Sequence, residues 1–361
     1  SFYLDYSPDN TSLSLLAKTK INDFLSNGWL IASQPYQVEK MPEILYDREG
    51  DDILETVTWS STYGFSSMRL SPTAGSAASL GVESDNFATT DADASVASLY
   101  ENAGYNDDVV QRFHTRQEFA LPISGEGWNV SPFVFGRFTG YLDGNWEEYR
   151  EQSGVDADLD EYRVMLGGGA RASTRFVEVD NTARSEFFDV HRLRHIIEPN
   201  STLWWGWDSL PDGAFPLYDQ RIEGATGGTV AQIGARHTLQ TQRGGPGNRE
   251  SVDLLAMNYG AVFNDGADDF QRDDLIRPGG AYNAYAWAQS PYPQFFSWEP
   301  ELSQWGTHGY ASGVWQVSSS LAFAGSGLFA WEPREVIDVR DGIASPQSRT
   351  INGILRGSVG F

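Results

Sequence analysis

Residues 162–175 read YRVMLGGGARASTR. Taken alternately, Tyr162, Val164, Leu166, Gly168, Ala170 and Ala172 fall on one side. Arg163, Gly167, Gly169, Arg171, Ser173 and Arg175 fall on the other, with Met165 the exception. A side-chain period of two is the mark of a β-strand. The chemistry of the two sides says which kind of strand. A soluble sandwich turns its apolar side onto one dry core. Here the side opposite the bulky apolar residues carries repeated arginine and glycine, as a wet, charged interior would. An outer-membrane barrel has that arrangement, with apolar residues out to lipid and polar residues into the lumen.

The same period recurs along the chain. Val57, Trp59, Tyr63 and Phe65 alternate with Thr58, Ser60, Thr62 and Gly64. Ala231, Ile233, Ala235 and Leu239 oppose Gln232, Gly234, Arg236, Thr238 and Gln240. Over 311–331, Trp315, Val317, Leu321, Phe323, Phe329 and Trp331 share a parity and read as one run. Turn clusters separate such runs: SPDN at 7, GEG at 125, DGN at 143, SLPDG at 209, RGGPGN at 243 and NDGADD at 264. The runs reach roughly ten residues, long for a sandwich strand and right for a membrane one. Pro-Glu pairs at Pro42-Glu43 and Pro300-Glu301, with Glu198-Pro199 of similar shape, read as strand starts, because proline has no donor for a sheet interior.

The expected fold is therefore all-β: an antiparallel transmembrane β-barrel of the outer-membrane type, occupying residues 1–361 as one domain. At roughly 20 residues per strand plus turn, the length gives about 16–18 strands. Composition agrees, with 12 Trp and 37 Gly, large rings beside small residues, in 361 positions. No cysteine is present, so neither disulfides nor thiolate-bound zinc can hold the chain together. The formal charge is −24 and lysine occurs only at 18, 20 and 40, which excludes nucleic acid as a partner. No apolar run reaches the 18 or so residues of a membrane helix. No charged, hydrophobic leader is visible from Ser1.

Residues 191–208 read HRLRHIIEPNSTLWWGWD, placing Trp204, Trp205 and Trp207 within four positions. Indoles in that density suit a membrane interface, where the ring sits at headgroup level. The stretch reads as a turn leading into a membrane strand, its tryptophans divided between lipid interface and wall packing. Arg194, His195 and Glu198 read as a strand-end cluster in which Glu198 neutralises nearby arginine, or else as a lumenal ion-pair network. At the other end of the chain, INGILRGSVGF puts Ile351, Leu355, Val359 and the aromatic Phe361 on one parity.

Arg194-His195-Ile196-Ile197-Glu198-Pro199, followed by an aromatic strand, resembles a segment of the lipopolysaccharide-assembly outer-membrane protein family (LptD, or organic-solvent-tolerance). Further segments are similar in the family's order: Leu15-Leu16-Ala17-Lys18, Ile21-Asn22-Asp23-Phe24-Leu25, Gln37-Val38-Glu39-Lys40-Met41-Pro42-Glu43, Pro216-Leu217-Tyr218-Asp219, Leu239-Gln240-Thr241-Gln242-Arg243 and Glu299-Pro300-Glu301-Leu302. They are short and span roughly residues 1 to 305. The resemblance implies a non-catalytic protein of the cell outer membrane that inserts lipopolysaccharide into the outer leaflet, with lipid tails leaving through a weak seam between first and last strands. That seam would join Phe2, Leu4 and Tyr6 to Ile351, Leu355, Val359 and Phe361. The implied partners are lipopolysaccharide, outer-membrane lipid, a plug lipoprotein of the LptE type and periplasmic bridge components; no cofactor is implied. Two departures stand out. Nothing corresponds to the family's N-terminal periplasmic domain or its cysteines, and its barrel approaches the 26-strand class, so this chain reads as a partial or shortened barrel.

Two other functions remain open on the sequence: a passive porin-like channel, and a soluble carbohydrate-active β protein whose tryptophans form a sugar platform. Catalytic constellations are thin. His191 and His195 would bind zinc on a helix, but on a strand they stand about 13 Å apart. Glu147-Glu148 and Glu299/Glu301 are acid–base pairs only by coincidence among 49 carboxylates. The acidic stretches Asp47–Asp52 and Asp265–Asp269 lack EF-hand spacing and read as solvated loops rather than calcium sites. No GxSxG, P-loop or HExxH occurs.

Overall fold

The computed structural model describes residues 1–21, 36–53, 55–72, 74–80, 91–102, 104–153, 155–211, 213–219, 221–225, 227–245, 247–265, 307–338 and 347–360. They form one antiparallel sheet of fifteen strands. Its first half comprises β1 (Phe2–Tyr6), β2 (Thr11–Lys18), β3 (Tyr36–Ile53), β4 (Val57–Pro72), β5 (Val110–Ala120), β6 (Ile123–Gly125), β7 (Trp128–Leu142) and β8 (Tyr162–Thr174). Its second half comprises β9 (Phe176–Ser185), β10 (Val190–Asp208), β11 (Gly228–Arg243), β12 (Glu250–Asp265), β13 (His308–Gln316), β14 (Ala322–Asp338) and β15 (Gln347–Gly360). Three short helices lie in the connections: α1 (Ala77–Leu80), α2 (Val96–Asn102) and α3 (Glu147–Ser153).

Two strands are continuations of others. β6 extends β5 along β7, and β9 extends β8 along β10. Setting β6 and β9 aside leaves thirteen rungs in a simple up-and-down meander. Connections alternate in length. Those at one end are short: 7–10, 54–56, 126–127, 186–189, 244–249 and 317–321. Those at the other are longer: 19–35, 73–109, 143–161, 209–227, 266–307 and 339–346.

The two faces differ as the parity argument requires. In β8, Tyr162 and Leu166 are exposed while Arg163 and Met165 are buried, so Met165 does break the pattern, inward. In β7, Val134, Phe138 and Leu142 are exposed while Phe133, Phe135, Arg137, Thr139 and Tyr141 are buried. Large residues meet small ones across the ladder. Trp204 pairs with Gly169 and Trp205 with Gly168. A Cβ on Gly169 would run into the Leu203 carbonyl oxygen, so glycine is what lets β8 approach β10 this closely.

Several sequence expectations need correction. The sheet is open, not a closed barrel: among the described residues β1 pairs only with β2, and β15 only with β14. Neighbouring rungs alternate in direction, so the first and the thirteenth run the same way, and closing the sheet would take a parallel pair between them, which it does not have. Phe2, Leu4 and Tyr6 are therefore exposed on a free edge, and Ile351, Leu355 and Val359 lie in the opposite edge strand. Phe361 lies outside the described residues. The run 311–331 is two strands folded as a hairpin about 317–321, with Trp315 opposite Phe323. Residues 191–208 are not a turn but strand throughout; the turn is 186–189.

The prolines are not strand starts either. Pro42 sits inside β3 at the register shift between Lys40 and Glu43. Pro199 sits inside β10, between Ile197, which faces β9, and Asn200, which faces β8. Pro42 thus occupies a gap in its ladder, and Pro199 a gap on the β8–β9 side while it keeps its register with Ala235 of β11. The Pro300 pair lies outside the described residues, as do Asn22–Leu25.

Candidate functional site

The inward side of the sheet carries a concentration of charge that begins in three wall strands. Lys40 of β3, Arg112 of β5 and Arg163 of β8 all point inward, and Arg112 and Arg163 are buried. Strand parity explains the placement: along β5, Arg112, His114, Arg116 and Glu118 are buried while Phe113 and Phe119, of the opposite parity, are exposed. Buried guanidinium groups need acceptors, and the sheet does not supply enough of them.

The connection between β10 and β11 does. Residues 209–227 fold back over the inner face and bring Asp219 and Glu223 to the cations. Lys40 Nζ reaches Glu43 at 2.6 Å and Asp219 at 2.9 Å. Arg112 Nη1 donates to Glu223 Oε1 at 2.8 Å, and its Nη2 stands 3.9 Å from Asp219. The Tyr141 hydroxyl donates to the same Glu223 oxygen at 2.7 Å, and the Asp219 amide donates to Glu223 Oε2 at 2.6 Å. Arg137 donates to the Arg221 carbonyl at 2.5 Å. Arg163 holds Asp208 at the end of β10 through Nε, at 2.8 Å, and also donates to the Glu223 carbonyl at 3.2 Å. Arg150 of α3 donates to the Ala214 carbonyl at 3.0 Å. The loop is thus gripped by cations from β3, β5, β7, β8 and α3 at once.

Apolar packing supplies the rest of the fit. Leu210, Ala214, Phe215 and Tyr218 of the loop are buried against Val38, Met68, Leu70, Val110 and Tyr141 of the wall. Val96 and Tyr100 of α2, with Trp146 and Tyr149 beside them, complete the cluster. Phe215 lies 4.4 Å from Tyr141 and 4.9 Å from Trp146, centroid to centroid. Burial pushes the Tyr218 phenol up. Burial alone would raise the Asp219 carboxyl too, but Lys40 and Arg112 outweigh it and hold the group at about 2.

A second inward ion cluster lies further along the same strands. Glu118 bridges Arg116 at 2.9 Å and Arg171 at 2.6 Å, and the Arg171 guanidinium stands 3.7 Å from the centre of the Phe133 ring. The face over β10–β15 is different. A cavity of about 800 Å³ opens there, lined by Gln232, Asn258, Tyr310, Ser312 and Ser326 together with Arg236. Gln232 bridges Asn200 and Tyr310, each at 2.9 Å.

The residues singled out in the sequence are scattered by comparison. Arg194 is exposed and touches only Gln240 at 3.4 Å, and Glu198 meets Arg175 loosely at 3.6 Å. They form no ion network with each other. His195 joins His237 at 3.1 Å, which joins Tyr259 at 2.8 Å, in a chain on the outward side. His191 pairs instead with Asp189, away from His195. The tryptophans divide: Trp204 is buried and stacked on Phe135 at 6.0 Å, while Trp205 and Trp207 are exposed outward. Glu147 and Glu148 are exposed at the start of α3, and Glu299 and Glu301 lie outside the described residues. Asp47 accepts from Thr62, and Asp51 is occupied by Arg48 and Asn10. Among the described residues no three His, Asp or Glu side chains converge as metal ligands.

What sequence reading missed is the set Lys40, Arg112, Asp219 and Glu223. The inward parity of Arg163 was visible; that of Lys40 and Arg112, and the acids that answer them up to 179 residues away, were not. One segment of the family resemblance, 216–219, does fall on the latching loop, and 194–199 and 239–243 lie in the strands that flank it. No protein-family model matches this chain, and no curated protein is significantly similar to it.

Proposed function

We propose that this sheet is wall from an outer-membrane barrel and that it serves the insertion of lipopolysaccharide into the outer leaflet. The observation that carries the membrane half of this reading is the outward face. Apolar residues run across it from strand to strand: Leu4, Leu15, Ile44, Phe65 and Phe113 are successive register partners at one side. Trp315, Phe323 and Val359 are partners at the other. A monomer in water rarely exposes a continuous apolar face of that size. Short connections at one end and long ones at the other fit periplasmic turns and surface loops. The lipopolysaccharide half rests on the family resemblance of β10, its following loop and β11. It entails a plug lipoprotein of the LptE type and periplasmic bridge components as partners.

Refolding with and without micelles, followed by gels of boiled and unboiled samples, tests the first half. A heat-dependent mobility shift that appears only with micelles is expected. A monodisperse, β-rich protein in plain buffer would instead point to the soluble carbohydrate-binding alternative. For the second half, a photo-crosslinking side chain at Ser326, on the inner face, should capture added lipopolysaccharide, and one at Ile233, on the outer face, should capture less. Steady conductance without capture would identify a passive channel.

A further inference from the structure

The inner face is two surfaces, not one. Over β3–β8 it is covered, the 209–227 loop packing on a buried apolar cluster and an ionic layer. Over β10–β15 it is open, with a cavity of about 800 Å³ whose amides and hydroxyls both donate and accept. Arg236 faces this cavity, with Glu198 as its register partner on β10.

We propose that the 209–227 loop is a fixed plug rather than a gate, and that whatever crosses the sheet's interior passes only on the β10–β15 side. This rests on the membrane reading above. Gates are drawn from the least stable parts of a fold, with few buried contacts and exposed hydrogen bonds. The loop has the opposite character. Two of its carboxylates, Asp219 and Glu223, engage Lys40 and Arg112, and four of its carbonyls accept from Arg137, Arg150 and Arg163. Withdrawing it would leave Arg112, whose side chain has no solvent exposure, with only Glu43 of β3 as counter-charge, at 3.6 Å. Asp219 stays ionised far below neutral pH, so mild acid does not release the latch. The cavity side has no comparable obstruction among the described residues.

The absence of cysteine makes a direct test clean. Thr139→Cys places a thiol in β7 under the plug, where Thr139 is 2% exposed, and Ser312→Cys places one in the open cavity. Each variant is folded in micelles and labelled with a bulky, charged maleimide, with and without added lipopolysaccharide. Thr139→Cys should react about a hundredfold or more slower than Ser312→Cys, because labelling must wait for a buried ion pair to open. Adding Asp219→Asn and Glu223→Gln, which keep the side-chain shapes, should speed Thr139→Cys about tenfold or more and leave Ser312→Cys unchanged. Equal rates in the unaltered loop, a rate at Thr139→Cys that rises with lipopolysaccharide, or no response to the latch substitutions would each overturn the plug. The membrane reading fails separately, through loss of the heat-dependent mobility shift, and the labelling ratio is still measurable if it does.

Discussion

Arg112 and Glu223 show what single residues contribute. Both side chains are almost wholly out of solvent and 2.8 Å apart. Cutting Glu223 back to alanine leaves a buried guanidinium without its main counter-charge, which costs about 3–5 kcal/mol. Urea unfolding of the folded protein should show that loss, whereas Arg112→Met combined with Glu223→Leu should recover much of it. Asp219 makes a pH prediction. Its carboxyl is held at about 2 in the fold, below the ordinary aspartate value of about 3.9. A depressed folded value means the stabilisation is complete above the unfolded value and is lost as pH falls from about 4 toward 2. Asp219→Asn should flatten that stretch of the acid-unfolding curve and leave the neutral region's slope unchanged. At Gly169, any Cβ meets the Leu203 carbonyl, which as backbone cannot step aside. Gly169→Ala should cost on the order of 1–3 kcal/mol, read from the same urea midpoints.

Strands are the scale at which the sequence was most informative. The alternation in 162–175 gave β8 with its faces assigned, including Met165 as the inward exception, and the 57–65 and 231–240 runs gave the first half of β4 and the middle of β11. Period-two patterning is a local signal, so it survives without knowledge of neighbours. What it could not show was where a strand breaks. β8 and β9 are separated only by Arg175, and 311–331 keeps its parity through a hairpin turn, so neither event disturbs the alternation. α2 and α3 have seven residues each, two turns, too few for a 3.6-residue period to stand out. The latch was illegible for a different reason, since ion pairing between distant segments leaves no local pattern. The outward face offers its own test. Val134 is exposed in the middle of β7, and in a bilayer an arginine there should cost about 2–4 kcal/mol of folding into lipid vesicles. Val57→Arg, on the same face at the short-connection end of β4, should cost much less in the same assay.

At the scale of the whole molecule, the two end strands are edges. Because β1 pairs only with β2 and β15 only with β14 among the described residues, a Leu4→Cys, Leu355→Cys pair should stay unlinked in the folded protein under oxidising conditions, as a non-reducing gel would show. The seam inferred from the ends of the sequence assumed that first and last runs meet; thirteen rungs put them on opposite margins, facing alike. The plug adds a constraint in time as well as space. Lys40 and Arg112 are made early with Glu43 as their shared acid, and Asp219 and Glu223, which complete the ionic layer, arrive 179 and 111 residues later. Until the tenth strand has turned back on itself, the early wall carries two inward cations on one carboxylate. Assembly is therefore ordered from the middle of the chain: the opening strands cannot reach their final packing ahead of residue 223, and a chain cut after Asp208 would hold a wall that has no lock for its keys.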